Sequence, residues 1–273
     1  METIILLHSS GSSGAQWHAL VSRLGARNRV LAPDLIGYGA APGWSGRGEF
    51  SLAWEAAAVR SLLGRLGEPV HLVGHSYGGA VALHLARTHP ALLKSLVLVE
   101  PSAFHLLRHG DAMDAAALRE IMAVAADVRA ALAVGDYGGG CARFVDYWSG
   151  PGSWAAMPAE KRAAFVPQLA KVALDFHALL AEPTELEDLC DIALPSLLVQ
   201  GERTTLPSRR ICAHLRTALP KGTFRVVQGA GHMVPITHRD EVNALIASYI
   251  EANPAIASRA RPTWSREPAA FTI

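Results

Sequence analysis

Cysteine is scarce in this chain: three residues in 273, Cys141, Cys190 and Cys212, all widely separated. An odd number so dispersed argues against a disulfide framework, and none has the spacing of a metal-ligand pair. Excess charge of either sign is also missing. Lys and Arg number 25 against 24 Asp and Glu, a formal net charge of +1. That leaves no electrostatic case for nucleic acid or an anionic membrane as a partner. The longest apolar stretches are interrupted by charges, so no membrane span is expected. Met1 runs straight into a strand-like stretch, with no basic segment before it and no cleavage site after. These absences predict a soluble, cytoplasmic protein that needs neither metal nor cofactor.

What the chain does have is apolar bulk, 50% hydrophobic against 18% charged residues, the mixture of a globular protein with a sizeable core. The length suits one large α/β domain or a core carrying an inserted subdomain. One stretch organises the rest: Val70-His71-Leu72-Val73-Gly74-His75-Ser76-Tyr77-Gly78-Gly79-Ala80. Val70 to Val73 reads as a buried strand, and Tyr77, Ala80, Val81, His84 and Leu85 recur at helical spacing immediately after Ser76. Gly-x-Ser-x-Gly between a strand and a helix is the nucleophile-elbow pattern in its confirming context. A serine on so tight a turn is held in a strained conformation, its hydroxyl lifted above the sheet end. Small neighbours let strand and helix approach.

Around this stretch, strands alternate with helices. Strands are predicted at Thr3 to Leu7, Arg29 to Ala32, Ser95 to Val99, Ser196 to Gln200 and Thr223 to Val227. Helices are predicted at Ala15 to Leu24, Ser51 to Leu66, Ser208 to Ala218 and about Asp240 to Glu251. Such alternation requires a parallel sheet with right-handed crossovers. Between about Ser102 and Asp191 the rhythm breaks into helical segments such as Ala115 to Ala133 and Glu160 to Leu180, punctuated by aromatic residues. A helical insertion between sheet strands reads as a cap over their carboxyl ends. The expected organisation is a core of residues 1–101 and 192–253, a cap of 102–191 and a tail of 254–273. The tail is rich in Pro and Arg and is expected to be disordered or loosely packed on the surface; the alternative is docking onto a partner subunit in a homodimer, with Trp264 and Phe271 as anchors. The oligomeric state stays open.

A serine hydroxyl needs a base to take its proton as it attacks. His232, in Gly229-Ala230-Gly231-His232-Met233-Val234-Pro235 after the last strand, holds the last place in the Ser-acid-His order. His8, His105, His177 and His238 are further pocket candidates, each equally well explained as structural. The orienting carboxylate is less ordinary. Where an aspartate is expected after the strand that follows the cap, this chain has Thr204, which cannot carry the charge. Glu100, just past the strand that precedes the cap, is assigned the role. Glu202 and a dyad without a strong acid are the alternatives. Backbone amides of Tyr77, at the positive end of the elbow helix, and Ser10, in the turn after the first strand, are assigned the oxyanion.

Together these residues resemble the cap-bearing serine hydrolase branch of the α/β-hydrolase family. The resemblance rests on His8-Ser9-Ser10-Gly11, Pro33-Asp34-Leu35-Ile36-Gly37-Tyr38-Gly39, Gly74-His75-Ser76-Tyr77-Gly78-Gly79 and Gly231-His232. It covers roughly Thr3 to Pro101 and Leu194 to Glu251. It implies a nucleophile at Ser76, a base at His232, an oxyanion hole at Ser10 and Tyr77, and an Asp34 that braces its loop. There are three departures. Ser9 stands where the family usually has glycine. The acid position after the penultimate strand is not acidic, whereas Glu100 matches the location used by haloalkane-dehalogenase-like members. The family's usual leading hairpin is not seen, which predicts a mostly parallel sheet of about six strands. Serine at the elbow disfavours epoxide hydrolases and dehalogenases, which carry aspartate there. The expected activity is hydrolysis of an ester or related acyl bond in a small, largely apolar substrate through an acyl-enzyme. A lyase, a carbon–carbon hydrolase, cofactor-free oxidation and a non-catalytic small-ligand receptor are the rival readings of the same scaffold.

Overall fold

Every residue from Thr3 to Leu7 and from Val70 to His75 is buried, as strands are when helices cover both sheet faces. The computed structural model describes residues 1–46 and 48–253. In chain order it contains β1 (Thr3–Leu7), α1 (His18–Leu24), β2 (Arg29–Leu31), α2 (Leu52–Leu66), β3 (Val70–His75), α3 (Tyr77–Thr88) and β4 (Leu93–Val99). A helical stretch follows: α4 (Ala112–Ala133), α5 (Tyr137–Ser149), α6 (Ser153–Ala156), α7 (Ala159–Phe165) and α8 (Leu169–Ala181). The chain then returns to the sheet with β5 (Ser196–Gly201), α9 (Leu206–Ala218), β6 (Gly222–Val227), α10 (Val234–Thr237) and α11 (Arg239–Ala252).

The six strands lie in the order β2-β1-β3-β4-β5-β6, and every neighbouring pair is parallel. Strand order reverses between β1 and β3, which opens a crevice beyond their carboxyl ends. Alternate residues of each strand feed opposite cores. Ile4, Leu6, Val73 and Val97 pack with α1 and α11, whereas Ile5, Leu7, Leu72 and Leu96 face the side of α2, α3 and α9. The second core runs on without a break into the helical stretch through Leu107, Ile121, Trp148 and Phe176.

Local departures from the sequence reading have local causes. The expected helix from Glu160 to Leu180 is broken at a 3₁₀ turn, Val166–Gln168, because Pro167 has no N–H to give and its ring crowds the preceding turn. The helix expected from Ala15 opens as a 3₁₀ turn, Gly14–Trp17, and β2 stops at Leu31, one residue early. The tail assignments at Trp264 and Phe271 lie outside the described residues. By length and composition, the stretch Ala159–Ala181, 23 residues of mean hydropathy 1.2, qualifies as a membrane span. Its second half instead packs on α3, α4 and α5 and buries Lys171 and Asp175.

Ion pairs join the helical stretch to the core, and the one at Asp114 is bidentate. Arg210 of α9 donates through Nε to Asp114 Oδ1 of α4 at 2.7 Å and through Nη2 to Asp114 Oδ2 at 2.9 Å. These hydrogen bonds draw the Asp114 carboxyl down from 3.8 to about 2. A depressed carboxyl contributes stability that is fully present above its unfolded value and is lost as pH falls through the folded one. Arg210→Met is therefore expected to cost on the order of 2 kcal/mol at neutral pH. It should also flatten the fall in melting temperature between pH 4 and pH 2, as measured by thermal melts across that window. An unchanged acid profile would show that the pair contributes nothing.

Candidate active site

Ser76 joins β3 to α3 with φ 54° and ψ −116°, a left-handed conformation that a non-glycine residue holds only when its surroundings impose it. The surroundings do so by close approach. A Cβ at Gly74 would lie 2.3 Å from the Gly78 carbonyl oxygen, and one at Gly78 would lie 2.5 Å from that of His8. Gly78 N–H donates to His8 O at 3.1 Å, so the elbow and the turn after β1 are held edge to edge. Ser76 N–H donates to Val99 O at 3.0 Å, and Ser102 N–H to Ser76 O at 3.1 Å, tying the elbow to the end of β4 as well.

The loop after β6 carries His232 into hydrogen-bond reach of this serine, with Nε2 2.9 Å from Ser76 Oγ. The opposite ring nitrogen, Nδ1, lies 3.0 Å from Glu100 Oε2. A carboxylate only accepts, so Nδ1 carries the hydrogen and Nε2 is left as the acceptor facing Ser76 Oγ. Glu100 is fully buried and has φ 49°, a second non-glycine left-handed residue at a strand end. Its Oε1 accepts from Gly201 N–H at 2.6 Å and its Oε2 from Thr204 Oγ1 at 2.5 Å. Thr204, on the position where an acid was expected, thus holds the carboxylate that comes from the adjacent strand. Glu202 is exposed, and its Oε2 accepts from Gly229 N–H at 2.8 Å. It braces the loop and stays off the ring.

Ser10 and Ser76 line one cleft. Tyr77 is the first residue of α3, where the amide has no acceptor within its own helix. Asp34 accepts from Gly14 N–H and Ala40 N–H, both at 2.8 Å. Burial works against its charge, and these two bonds outweigh it, holding the carboxyl below its ordinary value. His8 is buried outside the cleft lining, its Nδ1 at 2.8 Å from Ser9 O and its Nε2 accepting from Leu35 N–H at 3.0 Å. Ser9, in the place of the usual glycine, bonds Gln16 Oε1 through both N–H and Oγ, at 3.1 and 2.9 Å.

Several contacts had no signal at the level of sequence. Ser102 Oγ stands 3.0 Å from Ser76 Oγ, and Ser208 Oγ stands 3.1 Å from His232 Nδ1. The elbow's filler residue, His75, reaches His232 O at 3.1 Å through Nε2 and Gln16 Nε2 at 3.2 Å through Nδ1. Burial, with His232 close by, pushes His75 down to about 3. It is neutral near pH 7, a donor to His232 O that fixes the backbone carrying the His232 ring. Trp148 of α5 lies over the His232 ring, centroids 4.0 Å apart. The cleft is walled by Phe104, Phe144, Trp148 and Phe176 and has Ser10, Ser76, Ser102 and Asp175 as polar members.

The comparisons with known proteins bear on the family. The profile of the alpha/beta hydrolase family matches residues 4–245. Pimeloyl-[acyl-carrier protein] methyl ester esterase of Aeromonas hydrophila is 33% identical over 259 residues, 90% of this chain and 94% of the relative. The protein of the same name from Aeromonas salmonicida is 30% identical over the same share of both chains. Among solved structures, MGS-M2, an alpha/beta hydrolase from a Medee basin deep-sea metagenome library, superposes with a TM-score of 0.78 at 16% identity, covering 95% of this chain and 92% of that one. The enol-lactonase of Burkholderia xenovorans LB400 does so with 0.71 at 20% identity, covering 91% and 90%. From elbow to family profile these findings converge: the chain belongs to the α/β hydrolase family.

Proposed function

We propose that the protein is a serine hydrolase that cleaves a carboxylic ester of a small, largely apolar molecule through an acyl-enzyme. The observation that carries this is the relay Ser76 Oγ to His232 Nε2 at 2.9 Å and His232 Nδ1 to Glu100 Oε2 at 3.0 Å. As Ser76 attacks the ester carbonyl, its proton passes to His232, and Glu100 stabilises the resulting imidazolium. The tetrahedral oxyanion is held by the amides of Tyr77 and Ser10. His232 then protonates the leaving alcohol, and water enters by the reverse route to free the acid. Residues 1–101 and 192–253 act as the catalytic core, with 102–191 as the cap that walls the cleft with aromatic rings. The missing acid after β5 favours a non-catalytic receptor, and the Glu100 carboxylate 3.0 Å from the His232 ring supports the enzyme reading instead. The names of the Aeromonas relatives support an ester as the bond cleaved, and methyl esters belong among the first substrates tried. The three free thiols, Cys141, Cys190 and Cys212, support a reducing, cytoplasmic setting.

A series of p-nitrophenyl esters of increasing acyl length tests the reading. Each buried methylene contributes about 0.8 kcal/mol, so kcat/KM is expected to rise about fourfold per added carbon until the cleft is filled, then fall. No turnover of any ester, methyl esters included, together with failure of a fluorophosphonate to label the protein, would overturn it.

A further inference from the structure

Lys171 and Asp175 lie one turn apart on α8 and are both buried, 6% and 1% exposed. The Lys171 ammonium pairs with Asp175 and stands 3.4 Å from Glu55 Oε2 of α2. Each carboxylate leads back to the reaction site. Asp175 Oδ2 accepts from Ser10 Oγ at 2.6 Å and from Tyr38 Oη at 2.5 Å. Glu55 Oε2 accepts from Tyr77 Oη at 2.9 Å. The ammonium also sits over the Tyr77 ring, 4.6 Å from its centroid. Ser10 and Tyr77, whose backbone amides are assigned the oxyanion, are thus anchored by their side chains to acids that share one cation.

Stability alone accounts poorly for such a network, because apolar side chains of similar volume serve a buried site as well or better than buried ions. Oxyanion donors, by contrast, must be aimed to within about half an ångström, and Ser10 lies in a turn with no strand pairing to hold it. Asp175 also lines the cleft beside Ser76, where an uncompensated negative charge would oppose the developing oxyanion. We propose that Lys171 and Asp175 are positioning residues of the oxyanion hole: Asp175 holds the Ser10 turn in place, Lys171 cancels its charge, and seating of α8 on the core completes the hole. The proposal rests on the hydrolase reading above.

Paired substitution tests it. In K171M/D175L both charges are removed together, so the melting temperature is expected to stay within a few degrees of the parent. The downfield proton of the His232–Glu100 hydrogen bond should persist in the NMR spectrum. kcat for a p-nitrophenyl ester should fall about 10²-fold with KM changed less than threefold, the loss expected when an oxyanion donor is misplaced. D175N keeps an acceptor for Ser10 and Tyr38 and should hold kcat within tenfold. S10A, which removes one hydroxyl and leaves Asp175 paired with Lys171 and Tyr38, should lose about tenfold in kcat. Unchanged kcat in S10A and in the double variant would overturn the positioning role while the hydrolase reading stands. So would a double variant whose loss comes with disappearance of the downfield proton. An unsubstituted protein inactive towards every ester would defeat the hydrolase reading and this proposal together.

Discussion

Replacing Ser76 with alanine is expected to lower kcat for a p-nitrophenyl ester by ~10⁶-fold and to abolish fluorophosphonate labelling. That is the loss seen when the nucleophile of a relay working as a unit is removed. The fold should not suffer, because the position is a source of strain. At φ 54° and ψ −116° a side chain is held in a region that glycine occupies freely. Ser76→Gly is therefore expected to abolish turnover and also to stabilise the protein by about 1 kcal/mol, measured by denaturant unfolding. Strain at the reacting residue is costly to the native state, and the packing of Gly74 and Gly78 against backbone maintains it. If S76A retained ester turnover within tenfold of the parent, the nucleophile would have to be sought elsewhere.

Glu100→Gln is expected to lower kcat about 10⁴-fold with little change in KM. The amide is nearly isosteric, yet it neither stabilises the imidazolium nor enforces the tautomer with hydrogen on Nδ1. The surroundings suggest a sharper experiment. Thr204 Oγ1 lies 2.5 Å from the Glu100 Oε2 atom that contacts the ring, so a carboxylate introduced at residue 204 falls near the place that Oε2 occupied. T204D in the E100Q background is expected to recover 10-fold to 100-fold of the lost kcat. In the parent background the same substitution sets two carboxylates side by side. One must then take up a proton, and activity should drop. Steady-state kinetics of the four proteins decides the matter. An E100Q enzyme within tenfold of the parent would remove Glu100 from the relay, and absence of recovery would show that the acid cannot be moved between strands.

How far the site could be read in advance follows from how local each cause is. The elbow is written in consecutive residues, since strand, tight turn, small neighbours and helix are all set by sterics within a dozen positions. The parallel sheet is legible for a similar reason. Strands apolar on both faces and separated by helical periods leave few ways to pair, and β1 and β3 behaved as their composition implied. The helix predicted from Glu160 to Leu180 is interrupted at Val166–Gln168, because the apolar period survives Pro167 although the backbone hydrogen bonding does not. The acid was harder. Glu100 and Thr204 lie just beyond the ends of neighbouring strands β4 and β5, so either position can present a carboxylate to one imidazole, and nothing local chooses between them.

Lys171 and Asp175 mark the limit. A Lys and an Asp one turn apart on a helix carry no local signal that tells a buried pair from a solvated one, and neither does Glu55. Burial converts all three into a network beneath Ser10 and Tyr77. By itself the chain's sequence determined the elbow that presents Ser76 and the layered α/β architecture, and it marked His232 as the candidate base, because these follow from steric and periodic rules acting over a few turns. Only the tertiary structure decided which carboxylate meets His232 and what anchors the oxyanion turn. Both depend on contacts between residues more than a hundred positions apart, whose meeting is settled by strand order and by the seating of α8.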